Sequence, residues 1–255
     1  MNRLGFASRL RAGESLVSTF IKTPSHAVVE IAGECGLDAV VLDAEHAPFD
    51  PASLDRGLLA CRAVDVAGLI RVADDRPATL LQALDLGADG LVLPHIVDGA
   101  QARQILQATR YRNGCRGFSN SPRAGSYGRA NLAEHMAAED GRHAIIAQIE
   151  DRAALDNLAA IASVEQIDCL LVGRADLAVS LGVSSLDDPR VESAVSRVIE
   201  AARQAGKAAG IFVSNSEDLE RFSTKGMRFF ILGSDQAVLR TGWTQQVRHF
   251  HSLTR

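Results

Sequence analysis

Asp43-Ala44-Glu45-His46 places three ionisable side chains directly after the apolar run Val40-Val41-Leu42. An Asp beside a His can orient the imidazole and raise its basicity, which is what a general base or proton shuttle needs. The structural alternative for His46 is a helix cap or a backbone hydrogen bond. Arg71 follows a second run, Gly68-Leu69-Ile70. Its planar fork suits a carboxylate or phosphate, and equally an ion pair with a neighbouring acid. Two further runs end in Gln148-Ile149-Glu150 and lead into Gly173-Arg174-Ala175-Asp176. If those runs are neighbouring parallel strands, Glu150 and Asp176 can share one divalent cation. Two carboxylates completed by water and substrate oxygens suit Mg²⁺ or Mn²⁺. Zinc would want a nitrogen or sulfur partner at a spacing that is absent here. Gln148 stands two positions from Glu150, so both point to one face of a strand. Taken singly, Asp176 could cap one helix and Glu150 begin another.

Other chemistries lack support. The chain contains no Walker A, GxGxxG or GxSxG pattern. Its lysines are Lys22, Lys207 and Lys225. Lys22 stands beside Thr23-Pro24-Ser25 and reads as a solvated loop residue, and Lys207 precedes an apolar run rather than following one. A Schiff-base mechanism needs a desolvated lysine among the reacting groups, so it is disfavoured.

The elements that must position these residues are eight short apolar runs, at 16–21, 39–42, 68–72, 90–93, 144–149, 169–172, 209–213 and 229–232. Most are continuous rather than alternating, as in strands covered on both faces. Helical spacing lies between them, at 25–35, 51–64, 77–86, 99–109, 152–161, 191–205 and 217–225, with a last helix at 238–250. Leu86-Gly87, Ala205-Gly206 and Lys225-Gly226 are helix-stop signals. This alternation predicts an α/β fold: one (β/α)₈ TIM barrel spanning residues 1–255, with an open doubly wound sheet as the competing architecture. In a barrel, chemistry sits at the C-terminal ends of the strands, where the residues above fall. The stretch 111–134 is rich in Gly, Ser, Asn and Arg and reads as a long functional loop.

Composition bounds the rest. The chain has 255 residues, 47% hydrophobic and 23% charged, with a net charge of −4. Neither the charge nor any local basic cluster favours nucleic acid, and aromatics are only 5%. No run approaches the roughly 20 apolar residues of a membrane span. The N-terminal residues lack a signal-peptide pattern. Cys35, Cys61, Cys115 and Cys169 are scattered without CxxC spacing and are expected to be buried free thiols. The protein is read as cytoplasmic, with no nucleic acid or membrane partner.

The series Leu42-Asp43-Ala44-Glu45-His46-Ala47-Pro48, Arg71, Arg110-Tyr111, Gln148-Ile149-Glu150 and Gly173-Arg174-Ala175-Asp176-Leu177 resembles the HpcH/HpaI aldolases in order and spacing. These are class II, metal-dependent pyruvate aldolases acting on 2-keto-4-hydroxy acids. Arg116-Gly117-Phe118-Ser119 and Arg123-Ala124 are most similar to members that cleave keto-deoxy-glucarate and related sugar acids. The resemblance implies a barrel whose last helix packs on a neighbouring subunit, in a homo-oligomer, trimer or hexamer. It implies that Glu150 and Asp176 ligate a divalent cation (magnesium, manganese or cobalt) and that His46, held by Asp43, is the acid/base. Arg71 would steady pyruvate, and Gln148 would line the site. The turn at Ala175 would offer backbone N–H groups to the substrate carboxylate. Phe212 would contact the aldehyde portion, and Asp85 would approach an adjacent subunit's site. The chain departs from the family where Gly-Pro-Ala-Asp becomes Gly173-Arg174-Ala175-Asp176, which brings a charge to that turn. Leu181-Gly182-Val183-Ser184 likewise shortens a Leu-Gly-His-Leu-Gly stretch.

The activity implied is reversible cleavage of a 2-keto-4-hydroxy acid to pyruvate and an aldehyde. The alternatives are decarboxylation or condensation of an oxaloacetate-like acid through the same enolate, or a non-catalytic keto-acid-binding barrel.

Overall fold

A computed structural model describes residues 3–253. Eight parallel strands close into a barrel in sequence order, with β1 hydrogen-bonded to β8. They are β1 (Leu16–Ile21), β2 (Ala39–Asp43), β3 (Ala67–Arg71), β4 (Gly90–Leu93), β5 (Ala144–Ile149), β6 (Cys169–Val172), β7 (Ala208–Val213) and β8 (Phe229–Ser234). The expected α/β TIM barrel is therefore the observed fold, and the open sheet is excluded by the β1–β8 pairing.

The helices are α1 (Phe6–Arg11), α2 (His26–Glu34), α3 (Pro51–Ala63), α4 (Pro77–Asp85), α5 (Gly99–Gln107), α6 (Leu132–Arg142), α7 (Arg152–Asp156), α8 (Leu158–Ala162), α9 (Arg174–Ser180), α10 (Pro189–Gln204), α11 (Ser216–Thr224) and α12 (Asp235–Leu253). Their starts are chemically marked. Asp50 and Ser53 form a reciprocal capping box on α3, and Asp98, Asn131, Asp188 and Asn215 cap α5, α6, α10 and α11. None of the described helices is long and apolar enough to cross a membrane.

Two cores follow from the strand period of two. Val40, Leu42, Ile70, Leu91, Leu170 and Ile211 face the helices. Val41, Leu69, Val92, Ile146, Leu171 and Phe229 fill the barrel interior. α1 stoppers that interior, with Phe6 edge-on to Phe229 at 5.9 Å. Extending the inward parity along each strand yields Lys22, Asp43, Arg71, Gln148, Glu150 and Phe212 at the C-terminal mouth. The apolar floor and the polar mouth are thus one side-chain series read at two heights.

Three sequence expectations are corrected. The helix expected at 152–161 is broken into α7 and α8 at Asn157, whose side-chain amide donates to Val97 and Ala153 carbonyls instead of leaving the helix ladder undisturbed. The stretch 111–134 gives way to α6, which begins at Leu132 inside it. Hydrophobic spacing could not reveal this helix, because its buried residues are His135 and Glu139. Only Cys61 and Cys169 are buried thiols; Cys35 and Cys115 are exposed.

Glu139 ties the long loop to the barrel. It accepts from Arg116 at 3.2 Å and His143 at 3.1 Å, and lies 3.2 Å from Arg142. Burial alone would raise its carboxyl, but His143 and the two guanidiniums outweigh this and hold it at about 2. A folded-state value below the unfolded one means that the ionised group adds stability at neutral pH, lost as pH falls through the folded value. Glu139→Gln should therefore cost about 3 kcal/mol at pH 7 by urea denaturation. The deficit should shrink between about pH 4.3 and about 2, as wild type takes up its own proton. A constant deficit across that window would show that the charge is not what Glu139 contributes.

Candidate active site

Asp43 and Arg71 end adjacent strands and are register partners. The Arg71 fork grips the carboxylate with both arms, Nε to Oδ1 at 2.9 Å and Nη2 to Oδ2 at 2.8 Å. The side chains are 6% and 0% exposed. Lys22 Nζ lies 3.3 Å from Asp43 Oδ2. Burial would raise the Asp43 carboxyl, yet Arg71, the His46 N–H and Lys22 together hold it below its ordinary value. Arg71 also stacks over Phe20, 4.4 Å from the ring centre, and its Nε is 3.3 Å from Glu45. Phe212 meets Phe20 at 5.9 Å, so aromatic rings form the wall beside the guanidinium.

Two expectations change here. Asp43 does not hold the His46 ring. It accepts the His46 backbone N–H at 3.1 Å, because its side chain points into the barrel and is occupied by Arg71. The acid nearest the imidazole is Glu45, at 3.8 Å. Lys22 is not a detached loop residue, since β1 parity turns it inward to Asp43. Asp85 stands apart from its own chain's mouth. It ends α4, which returns the chain to the start of β4, and it pairs with Arg116 at 3.0 Å.

On the other side of the mouth, Glu150 is 2% exposed. Its Oε1 accepts the His95 N–H at 2.9 Å and its Oε2 accepts from the Gln148 amide. Burial, with the added negative charge of Asp176, outweighs those bonds and raises its carboxyl. Gly173 permits the close approach: a Cβ there would lie 2.7 Å from Glu150 Oε2 and 2.9 Å from its Cβ. Arg174, Ala175 and Asp176 then form the first turn of α9. The donor set fits a cation. Glu150 lies near enough to Asp176 to feel its charge, and Gln148 Oε1 is buried with no hydrogen-bond partner among the described residues. Among those residues no group of three or more His, Cys, Asp or Glu is arranged to hold a metal, so other ligands would come from solvent or substrate.

His95 escaped the sequence reading. It follows β4 in Leu93-Pro94-His95 and takes a left-handed φ of +53°. Its ring Nδ1 is 3.0 Å from Asp151 and 3.5 Å from Glu150, and its Nε2 is 3.5 Å from Glu45. The bond with Asp151 leads in raising its pKa, against partial desolvation. Inward parity from Val92 falls on Pro94 and passes over His95, so the signal was only that His95 is the first ionisable residue after Leu93.

A family model described as HpcH/HpaI aldolase/citrate lyase matches residues 17–241. The chain belongs to that family. With it, the chain is a lyase of the class II pyruvate aldolase type. It is 32% identical over 238 residues to the 5-keto-4-deoxy-D-glucarate aldolase of Klebsiella pneumoniae subsp. pneumoniae, covering 92% of each chain. A solved HpcH/HpaI aldolase/citrate lyase family protein from Burkholderia cenocepacia superposes with a TM-score of 0.93 at 30% identity, covering 97% of this chain and 99% of that one. The citrate synthase SbnG is similar at a TM-score of 0.88 and 26% identity, covering 97% and 98%.

Arg174, the family departure, does not send its charge into the mouth. It is buried, bonds Asp218 of α11 at 2.5 Å and lies over Phe222 at 4.9 Å. The pair braces the Asp176 turn against the next helix. Asp218→Asn should cost about 3 kcal/mol in equilibrium denaturation, because it strands a buried guanidinium. Arg174→Pro should cost less than Arg174→Ala, since proline at a first helical position fixes the turn by itself. Equal losses in the last two would show that bracing is not Arg174's contribution.

Proposed function

We propose that this protein is a divalent-metal-dependent aldolase that reversibly cleaves a 2-keto-4-hydroxy acid to pyruvate and an aldehyde. The observation that supports this reading is the buried Glu150 carboxylate, packed against Gly173 at the turn that leads to Asp176 and within reach of that residue's charge, in a mouth that also holds the Asp43–Arg71 pair. Glu150 and Asp176 would hold magnesium, manganese or cobalt, which supplies Lewis acidity toward the C1 carboxylate and C2 keto oxygen of a keto acid.

The chain's own residues supply the remaining steps. His46, 55% exposed at the rim, takes the proton of the C4 hydroxyl. The C3–C4 bond breaks, its electrons pass into the pyruvate enolate, the aldehyde departs, and the proton that His46 took is delivered to C3, which gives pyruvate and restores the base. Arg71, locked against Asp43, presents its remaining N–H groups where charge builds on the C2 oxygen. Gln148 orients Glu150, and the Ala175 backbone N–H faces the C1 carboxylate. Phe212 and Phe20 shape the wall against which the aldehyde portion lies. The name of the Klebsiella relative favours a sugar-acid keto compound as the substrate. The likeness to a citrate synthase favours, as a second reading, a condensation that starts from the same enolate.

We also infer a homo-oligomer, trimer or hexamer, built through α12. Leu239, Trp243, Val247 and Phe250 recur at helical spacing along α12 and are all exposed. An apolar groove of about 310 Å³ beside its start is lined by Ile21, Val28, Ile31 and Leu37. A second copy's α12 on that surface would cover both, and Asp85 would then face a neighbouring subunit. The four free thiols are in keeping with a cytoplasmic setting.

Pyruvate release from a panel of 2-keto-4-hydroxy acids and oxaloacetate, with added Mg²⁺ or Mn²⁺, tests the reaction. Glu150→Gln and Asp176→Asn should lose cation affinity and turnover together. His46→Ala should keep the affinity and lose about 10²- to 10⁴-fold in turnover. Unchanged Mn²⁺ affinity in both carboxylate variants would remove them as ligands, and a wild-type rate in His46→Ala would remove the base. Trp243→Asp should shift the mass measured by light scattering to a smaller species, and an unchanged mass would place the interface elsewhere.

A further inference from the structure

His95 carries a backbone cost that the fold does not require. A non-glycine residue at φ +53° is held out of its preferred region, and glycine would occupy that conformation freely. Such outliers persist where the surroundings hold them, and they concentrate at ligand sites. The backbone has one evident use here, the N–H donated to Glu150 Oε1 at 2.9 Å. A glycine would supply the same N–H, so the imidazole itself remains to be explained.

The ring is aimed. Asp151 takes Nδ1 at 3.0 Å, which leaves Nε2 as the nitrogen that faces the mouth. Nε2 stands 3.5 Å from Glu45 Oε1, beyond a good hydrogen bond. The ring is 59% exposed, whereas Glu150 beneath it is 2% exposed. It therefore lies outward of the position where a keto-acid head would meet Glu150 and Asp176, on the route by which the rest of a substrate reaches solvent.

The geometry points to His95 as a specificity residue whose Nε2 binds an oxygen, carboxylate or hydroxyl, on the substrate's tail beyond the keto-acid head. This rests on the keto-acid reading above and assigns to His95 the recognition of an oxygen on the substrate's tail. Asp151 positions the ring, and the left-handed turn after Pro94 brings it over the site.

The test is calorimetric binding to the full chain with Mn²⁺ present. Pyruvate reports the head alone, 2-ketovalerate adds an apolar tail, 2-ketoglutarate a tail carboxylate and 5-hydroxy-2-ketovalerate a tail hydroxyl. Wild type should bind at least one oxygen-bearing tail about tenfold or more tighter than 2-ketovalerate, as a hydrogen bond involving a charged group predicts. The preferred probe then identifies which oxygen His95 reads. His95→Gly should erase that preference, bringing the oxygen-bearing probes to the affinity that the same variant shows for 2-ketovalerate at saturating Mn²⁺, and should melt higher than His95→Ala, which keeps the strain. A preference that survives in His95→Gly, or is absent from wild type, overturns the role of His95 and leaves the aldolase reading standing. Failure of wild type to bind any of the keto acids overturns both.

Discussion

The mouth of this barrel is organised around the bidentate Asp43–Arg71 pair. Both groups are nearly sealed from water, and removing either would leave the other with one more distant partner, Lys22 for Asp43 and Glu45 for Arg71, each at 3.3 Å. A buried pair of this kind adds little net stability over apolar residues of the same size. Its consequence is positional. Arg71 is held flat against Phe20 and within reach of Glu45, and Asp43 has no oxygen to spare for an imidazole. His46 is therefore placed through its backbone, and its ring is left at the rim beside Glu45.

The two sides of the mouth treat acids in opposite ways. On one, Asp43 is surrounded by Arg71, Lys22 and an amide N–H, and its carboxyl is pulled down. On the other, Glu150 is equally buried, and although the Gln148 amide, the His95 N–H and the His95 ring at 3.5 Å favour its ionised form, burial and the charge of Asp176 prevail and its carboxyl is pushed up. Environments that drive like groups apart assign them different work. The first side is already neutralised by the protein. On the second the protein's own groups do not offset burial, which is the physical reason for proposing the cation there.

Much of the molecule outside the barrel serves this arrangement at a distance. Arg174 and Asp218 brace the turn that carries Asp176. Glu139 gathers Arg116, Arg142 and His143 and so fastens the long loop before β5. These supports are polar and buried, and Asp218 and Arg116 reach them from 44 and 23 residues away in the chain.

The strands, their order and most of the mouth were legible in the residues themselves. Runs covered on both faces must be apolar throughout, and a period of two then dictates which residue at each strand end points inward. That logic alone selects Asp43, Arg71, Gln148 and Glu150. It reaches Lys22 as well, although its neighbours Thr23-Pro24-Ser25 suggested a loop. What could not be read was set by contacts between distant segments. Which acid faces His46 depends on Arg71 having already taken Asp43. The helix 132–142 hides because it buries His135 and Glu139 instead of leucines, and Glu139 completes its partners only when Arg116 of the long loop joins Arg142 and His143 at the helix's own end. The His95 ring owes its place to a left-handed backbone that Asp151 and Glu150 stabilise across strands. The sequence determined the barrel and the inventory of its mouth, because periodicity is local. Pairing among those groups was decided by the tertiary structure, because charge and hydrogen-bond partners are chosen in space.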